Sequence, residues 1–343
     1  MITTQNNMTI EQVATELTFA DRFGACKARW GIGRMSYTIA PGLYALGTPD
    51  ADSPVLVTAN YKMSFDKLRE QLPNRSLWIM VLDTNGINVW CAAGKGTFGT
   101  DEIVNRIEKT NLAQVVNHKT IILPQLGAPG VSAHKVKERS GFRVIYGPIR
   151  ATDASAFLDS GNKATPGMRK VTFDTWSRLV LVPVELVLAA KYALITAAVF
   201  FLLSGLSRAG YSTQLALTNG TQNALVLIIA LITAPAIGAI CLPYLPGRPF
   251  AIKGLWVSFA QLAVLFFIRS HIPAVFANWA SIAAWLLMIP AISSFMVMNF
   301  TGTTTFTSLS GVMREMKYAV PIQIAAAIIG IALWITSLFI TGA

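Results

Sequence analysis

The sequence predicts an α/β domain followed by an all-α membrane domain of five transmembrane helices. Residues 1–178 hold 21 of the 28 Lys and Arg and 15 of the 17 Asp and Glu, so the remainder of the chain is almost free of charge. The whole chain is 53% hydrophobic and 13% charged, which is too apolar for an ordinary soluble protein. We place the α/β domain at residues 1–165, a linker and juxtamembrane segment at 166–181, and the membrane domain at 182–343.

In the first domain, short apolar runs rich in β-branched residues alternate with helical patterns. Ser64 and Thr100 stand where helix N-caps are expected, and Asp101 and Glu102 suit a first helical turn. The order of elements predicts a Rossmann-like parallel sheet, with ligand-binding loops at the carboxyl ends of its strands. The predicted strands are 55–58, 77–82, 120–123 and 142–146, and the predicted helices are 64–71, 100–109 and 133–140.

The loops that follow these strands are rich in Gly, Ala and small polar residues. Such residues allow a broad ligand to lie against the backbone. For any one loop, the alternative is that Gly and Pro only end a strand, but four such loops together favour a site. The loops are residues 58–61, 88–95, 125–130 and 147–148.

One of these loops contains Cys91, and the chain has only two other cysteines, Cys26 and Cys241. A thiolate is a strong, soft donor to a transition metal. The alternative is a buried, inert thiol, because free cysteine packs well in a core, and composition alone favours this alternative.

The positions of the residues along the sequence argue against several other functions. Residues 94–99 match the glycine pattern of dinucleotide-binding folds, but the acidic residue expected about 20 positions later is missing. The same segment lacks the first glycine of a P-loop, and no pair of Cys or His has zinc-site spacing. No cluster of basic residues with interleaved aromatics indicates nucleic-acid binding. An acyl-transfer enzyme that pairs Cys91 with His118 or His134 stays a weak alternative.

Five apolar stretches are long enough to cross about 30 Å of hydrocarbon. Seven of the nine basic residues that flank them fall on the side of the first domain, which predicts a multi-pass protein of the inner (plasma) membrane with the α/β domain in the cytoplasm. We expect this half to anchor and assemble the protein, and a transporter with a regulatory domain is the alternative. The predicted spans are 182–203, 222–242, 252–270, 277–298 and 319–340.

Residues 88–95 read Asn-Val-Trp-Cys-Ala-Ala-Gly-Lys. This octet resembles, at all eight positions, the cap-helix signature of the HgcA family of corrinoid proteins, which act in microbial mercury methylation. The resemblance extends to residues 96–107, 124–128 and 146–148, and to the order of a corrinoid domain before five membrane helices. The first domain is also similar to the corrinoid domains of corrinoid iron-sulfur proteins.

The resemblance implies a corrinoid cofactor, cobalamin or a related cobamide, with Cys91 as the lower axial ligand of its cobalt. Trp90 would pack the short cap helix against the fold, and Asn88 would fix it by hydrogen bonds. Lys95 and the amides at the helix start would favour the thiolate. The cofactor-binding residues implied are Thr58, Asn60, Asn88, Val89, Trp90, Cys91, Ala92, Ala93, Gly94, Lys95, Gln125, Leu126, Gly127, Gly130 and Gly147.

The activity implied by the resemblance is a corrinoid-dependent methyltransferase that passes a methyl group from cobalt to Hg(II) and forms methylmercury. Its implied partners are an HgcB-type ferredoxin with two 4Fe–4S clusters and a methyltetrahydrofolate-dependent methyl donor. The alternative is a membrane-anchored corrinoid methyl carrier that serves another acceptor in one-carbon metabolism.

Overall fold

A computed structural model describes residues 2–3, 9–300 and 309–340 of the chain. The chain divides into two compact units, Met1–Thr172 and Phe173–Ala343. The first unit is built on one seven-stranded sheet, and the second is helical.

The strand order of the large sheet is β1-β2-β3-β5-β4-β6-β7. All four predicted strands are present, as β4 to β7, and none of their ends is shifted by more than one residue. Strands β1, β2 and β3 were not predicted. The strands are β1 (Ile2–Thr3), β2 (Thr9–Val13), β3 (Gly42–Leu46), β4 (Val55–Ala59), β5 (Leu77–Leu82), β6 (Thr120–Leu123) and β7 (Arg143–Tyr146).

The sheet is mixed, so the prediction of a parallel sheet is only partly correct. Strands β5, β4, β6 and β7 are parallel, whereas β3 is antiparallel to β5 and β1 is antiparallel to β2. The reason lies in residues 47–54, which join β3 to β4 without a helix. A connection without a crossover helix makes the chain reverse its direction.

Helices cover both faces of the sheet, since the residues of β4 and β5 are buried throughout. On one face Val57 and Met80 pack with residues from α3, α4 and α6, and on the other Leu56 and Ile79 pack with residues from α2 and α7. The helices of this unit are α1 (Phe19–Arg29), α2 (Lys62–Glu70), α3 (Val89–Lys95), α4 (Thr100–Lys109), α5 (Leu112–Val115), α6 (Ala133–Ser140) and α7 (Ala154–Asp159).

The predicted helices are present, but the two predicted N-caps are wrong. Helix α2 begins at Lys62, so Ser64 lies inside its first turn. Helix α4 begins at Thr100 itself with Gly99 as the capping residue. The Thr100 hydroxyl instead accepts a hydrogen bond from the backbone N–H of Ser132, 2.8 Å away, and so ties α4 to the loop before α6.

The second unit contains five helices, among the described residues, that are long and apolar enough to cross a membrane. They agree with the five predicted spans, although the last helix begins at Leu309, ten residues earlier than the predicted span. The elements of this unit are α8 (Thr175–Leu179), α9 (Val182–Leu203), β8 (Leu206–Ser207), β9 (Gly210–Tyr211), α10 (Thr213–Leu215), α11 (Thr221–Cys241), α12 (Phe250–Phe267), α13 (Trp279–Met298) and α14 (Leu309–Ser337).

Within this unit, buried Arg178 ties the short helix α8 to the end of α11. Its guanidinium donates to the backbone carbonyls of Ala239 (2.6 Å) and Phe173 (2.7 Å). These bonds satisfy both the buried cation and carbonyls close to the end of a helix.

The orientation of the five apolar helices in a membrane stays a prediction.

Candidate functional site

The octet forms a short helix, α3, next to the carboxyl-terminal ends of the parallel strands. The chain leaves β5 at Leu82, turns through residues 83–88 and enters α3 at Val89. The loops that follow β4, β6 and β7 leave the sheet at the same edge, because the four strands are parallel. The predicted site loops therefore share one edge of the sheet.

Helix α3 has a defined beginning and end. Asn88 is its N-cap, and the Asn88 side-chain oxygen accepts a hydrogen bond from the backbone N–H of Cys91 at 2.9 Å. Gly96 ends the helix in the left-handed conformation, with φ of 82°. The backbone N–H of Phe98 then donates to the carbonyl of Ala92 at 3.1 Å, and the Phe98 ring is fully buried. These contacts hold a helix that is too short to be stable alone.

The helix has an inner and an outer face. Val89, Ala92 and Ala93 are buried in the hydrophobic cluster against the sheet. Cys91 and Gly94, three residues apart on the opposite face, are exposed. The thiol is therefore presented to the outside and is not an inert core residue.

Two expectations about the octet need correction. Trp90 does not pack the helix against the fold, since 42% of its surface is exposed. The alanines Ala92 and Ala93 fill the inner side of the helix, so they let it approach the sheet closely instead of bordering an external ligand. Lys95 lies on the exposed side in the last turn of α3.

The loop over Gln125–Gly130 forms a 3₁₀ turn that packs directly against α3. A Cβ atom at Gly130 would clash with the backbone carbonyl of Phe98 and would lie 3.0 Å from the Cα of Ala93. A Cβ atom at Gly127 would lie 2.5 Å from the Phe98 ring. Gly130 is therefore needed for this close approach of two backbone segments, and Gly127 leaves room for the buried Phe98 ring.

The remaining residues of the predicted site have structural partners. Gln125 Oε1 accepts a hydrogen bond from the Arg169 guanidinium at 3.2 Å, and Leu126 packs against the core. Gly147 is buried, and its N–H donates to the carbonyl of Leu123 at 2.7 Å.

Thr58 and Asn60 are buried, at 4% and 6% exposure. Asn60 organises the turn that leads into α3. Its side-chain oxygen accepts from the N–H groups of Thr84 (3.1 Å) and Gly86 (3.0 Å), and its side-chain N–H₂ donates to the carboxylate of Asp83 at 3.3 Å. Asn60 thus connects the loop after β4 to the loop after β5.

Three residues that position α3 were missed in the sequence: Thr84, Phe98 and Glu102. Glu102 on α4 accepts a hydrogen bond from the backbone N–H of Asp83 at 2.9 Å and pairs with Arg106 at 2.6 Å. Burial raises the pKa of Glu102, but these bonds outweigh burial and hold the pKa below its usual value. The signal for this turn was the segment Asp-Thr-Asn-Gly at 83–86, a composition typical of tight turns.

The open side of α3 has room for a ligand. A Cβ atom added at Gly94 would meet no atom within 4 Å. Residues 2–3, 9–300 and 309–340 contain no group of three or more His, Cys, Asp or Glu that could hold a metal ion.

The exposed thiol and most strands of the large sheet lie within a region that matches a family model. Residues 33–158 match the family model described as the CO dehydrogenase/acetyl-CoA synthase delta subunit. This match includes β3 to β7, α3 and the Gln125–Gly130 turn. Somewhat more than a third of the chain is therefore similar to this delta subunit.

Individual relatives are gamma subunits of acetyl-CoA decarbonylase/synthase complexes. That of Methanocaldococcus jannaschii is 30% identical over 127 residues, which are 36% of this chain and 26% of the relative. That of Archaeoglobus fulgidus is 27% identical over 128 residues, or 37% of this chain and 27% of the relative. A gamma 2 subunit of Methanosarcina thermophila is 32% identical over 111 residues, or 31% of this chain and 23% of the relative. The chain thus spans about a quarter of the length of these relatives.

Proposed function

We propose that this protein is a membrane-anchored corrinoid methyl carrier of one-carbon metabolism, in which Cys91 is the protein ligand to the corrinoid cobalt. The observation that carries the proposal is the exposed Cys91 thiol on a fixed helix at the carboxyl edge of the sheet. The relation of residues 33–158 to subunits of acetyl-CoA synthase complexes supports the one-carbon chemistry.

The residues around Cys91 fit a wide, flat cofactor. Cys91 and Gly94 form an exposed strip on α3, and the missing side chain at Gly94 leaves open space beside the thiol. A thiolate is a strong, soft donor to a transition metal, and a corrin ring would supply further donors to the cobalt itself.

When bound, the corrinoid supplies a cobalt atom that can accept a methyl group and pass it on. The chain's own residues have simpler tasks. Asn88 fixes the backbone N–H of Cys91, so it sets the position from which the Cys91 side chain projects. Asn60 holds the preceding turn, and Gly130 allows the 3₁₀ turn to support α3 from behind. This arrangement keeps the donor atom in one place without burying it.

A second candidate acceptor is Hg(II), which would make the protein a methyltransferase that forms methylmercury. The octet at 88–95 favours this acceptor, because it resembles the HgcA cap helix at all eight positions. The same Cys91 geometry serves both functions, so the acceptor is decided by assay. In both cases the proposed partners are a methyltetrahydrofolate-dependent methyl donor and a ferredoxin with two 4Fe–4S clusters, of the HgcB type for mercury.

The first test concerns cofactor binding. We expect the purified full-length protein, reconstituted with cobalamin, to show a corrinoid absorption spectrum that changes in Cys91→Ala. Cys26→Ala is the matched control, since Cys26 is also an exposed free thiol in the same unit. Absence of bound corrinoid in the wild type, or identical spectra for the wild type and Cys91→Ala, would contradict the proposal.

The second test separates the acceptors. Protein carrying an isotope-labelled methyl group is offered Hg(II), or the acetyl-CoA-forming subunits of a relative, each with its reductant present. Transfer only to the protein acceptor supports the carrier, and transfer only to Hg(II) supports the methylmercury reaction. If the protein keeps the label in the presence of either acceptor, both proposed acceptors are wrong. This outcome would not contradict corrinoid binding.

A further inference from the structure

The exposed large apolar side chains of the first unit are concentrated in one short segment. Within residues 9–172, seven such side chains are exposed, and five of them lie between residues 19 and 35. These five are Phe19 (82%), Phe23 (52%), Trp30 (48%), Ile32 (53%) and Met35 (68%). We call the outward-facing part of residues 19–35 the α1 surface. An apolar cluster of this kind marks an interaction site in a soluble domain.

Helix α1 is oriented with its acidic residue inward and its aromatic residues outward. Asp21 forms ion pairs with Lys62 and with Arg69, the latter at 2.8 Å, and its side chain is 14% exposed. Phe19 and Phe23 stack at a centroid distance of 6.0 Å on the solvent side. An ordinary surface helix has the opposite arrangement.

The inner contacts of α1 fix this orientation. Tyr37 donates a hydrogen bond to the backbone carbonyl of Asp21 at 3.0 Å. A Cβ atom at Gly24 would lie 2.6 Å from the Tyr37 ring, so the helix sits as close as a glycine allows. Arg69 also donates to the carbonyls of Ala14 (2.6 Å) and Glu16 (3.0 Å), just before α1. The apolar side chains are therefore held outward by a specific set of buried polar bonds.

The α1 surface is basic as well as aromatic. Residues 19–35 contain four basic residues and one acidic residue, and that acid is Asp21, which is already paired. Lys27 lies over the Phe23 ring at 5.3 Å from its centroid. Exposed aromatic rings with nearby Lys and Arg are typical of segments that lie in the headgroup region of an anionic membrane. The basic residues are Arg22, Lys27, Arg29 and Arg34.

We propose that the α1 surface binds the anionic phospholipid headgroups of the bilayer into which the second unit inserts. The five helices long enough to span a membrane tether the first unit to a lipid surface, so even a weak interaction is populated. Residues 19–32, which carry four of the five exposed apolar side chains, precede the region that matches the family model. The proposal does not depend on the cofactor or the methyl acceptor.

The segment that carries the α1 surface contacts the turn before α3 through the backbone of Met35. A Cβ atom at Gly86 would lie 2.9 Å from the backbone carbonyl of Met35 and 2.8 Å from the Thr38 side chain. Gly86 belongs to the turn that leads into α3. Lipid bound at Met35 would therefore lie near the turn that positions the thiol.

The test uses the full-length protein and the exposed Cys26 on α1 as a labelling site. A spin label is attached to Cys26 in a Cys91→Ser, Cys241→Ser background, and the protein is placed in nanodiscs of phosphatidylcholine alone or with added phosphatidylglycerol. We expect the label to become less accessible to a water-soluble nickel complex and more accessible to oxygen in the anionic discs. A label at Glu108→Cys on α4, in a background that also carries Cys26→Ser, should not respond.

Two double variants separate the chemical contributions. Arg22→Gln with Lys27→Gln should reduce the ratio of lipid-bound to free α1 surface by about fivefold per removed charge, which equals about 1 kcal/mol each. Phe19→Ser with Phe23→Ser should abolish the oxygen response, and the fold should survive because both rings are exposed. Equal accessibility of Cys26 in both kinds of disc would overturn the proposal. Protection that appears only after a soluble partner protein is added would also overturn it, and would assign the surface to that protein.

Discussion

The side-chain oxygen of Asn60 accepts a hydrogen bond from the backbone N–H of Thr84 at 3.1 Å and lies 2.8 Å from the Thr84 hydroxyl. The two residues follow neighbouring parallel strands, and both are buried. The turn before α3 is therefore fixed by one side chain that belongs to a different loop.

Asn60→Ala should destabilise this turn by about 2–4 kcal/mol, because the buried N–H groups of Thr84 and Gly86 both lose their acceptor. Hydrogen exchange of residues 83–95 measures the opening directly, and the melting temperature of the first unit reports the global effect. Asn117→Ala is the matched control, because Asn117 is exposed and its side-chain amide donates to the exposed Asp52. Unchanged exchange in Asn60→Ala would show that the turn does not depend on Asn60.

Asn88→Ala should loosen α3 by about 1 kcal/mol, since it removes the N-cap that accepts from the Cys91 N–H. We expect faster hydrogen exchange over residues 89–95 and weaker corrinoid binding. Asn88→Ser keeps a capping oxygen and should restore most of both. Thr18→Ala, which removes the N-cap of α1, provides the comparison, because it should lower stability without changing corrinoid affinity.

Gly94→Ala tests whether the open side of α3 is a binding surface. Gly94 is not among the glycines with positive φ, and a Cβ atom there meets nothing within 4 Å. The substitution should stabilise the unliganded protein by about 0.5–1 kcal/mol, because alanine favours helix over glycine. It should weaken corrinoid binding, because the methyl group projects beside the thiol.

Gly130→Ala is the contrasting change, since a Cβ atom there would lie 3.0 Å from Ala93 Cα. It should destabilise the unliganded protein by about 1–3 kcal/mol through overpacking. Melting curves with and without cobalamin distinguish the two variants. Normal corrinoid affinity in Gly94→Ala would place the cofactor elsewhere.

Acid should release α1 before it affects the rest of the sheet. Burial raises the pKa of Asp21, but hydrogen bonds from Lys62, Thr18 and Arg69 outweigh it and hold the pKa far below its usual value. A lowered carboxylate pKa stabilises the fold above the unfolded value of about 4, and this contribution is lost as the pH falls through that region toward the folded value.

The melting temperature of Asp21→Asn should therefore lie below that of the wild type near neutral pH, and the difference should shrink below about pH 4. Asp101→Asn is the control, because Asp101 is exposed in its ion pair with Arg139 and should contribute less than about 1 kcal/mol. A gap between Asp21→Asn and wild type that stays constant down to about pH 3 would show that the ion pairs do not hold α1.

Much of the first unit was predictable from local pattern. Strands β4 to β7 are short, apolar and rich in β-branched residues, so their positions follow from sequence alone. The side of the sheet on which the site loops gather follows from the parallel order of those strands. Cys91 was found through its octet, because composition alone favoured an inert core thiol.

The rest depended on contacts distant in sequence. Strand β3 pairs with β5 across more than 30 residues, and nothing in its own five residues fixes an antiparallel direction. The inward orientation of Asp21 depends on Lys62 and Arg69, which belong to a different helix. The family resemblance implied that Trp90 packs the cap helix against the fold, yet the smaller Ala92 and Ala93 occupy the inner face. Propensity does not reveal which face of a seven-residue helix turns inward.

Helix α3 is held through its ends and its inner face, and the side chain at position 91 takes no part in that support. The scaffold would therefore present another residue at position 91 in the same place, for instance a histidine in Cys91→His. Under the proposed function, a single substitution at position 91 would exchange a sulfur donor for a nitrogen donor with little loss of folding stability. Selection can therefore change the residue at position 91 for its chemistry without changing the fold around it.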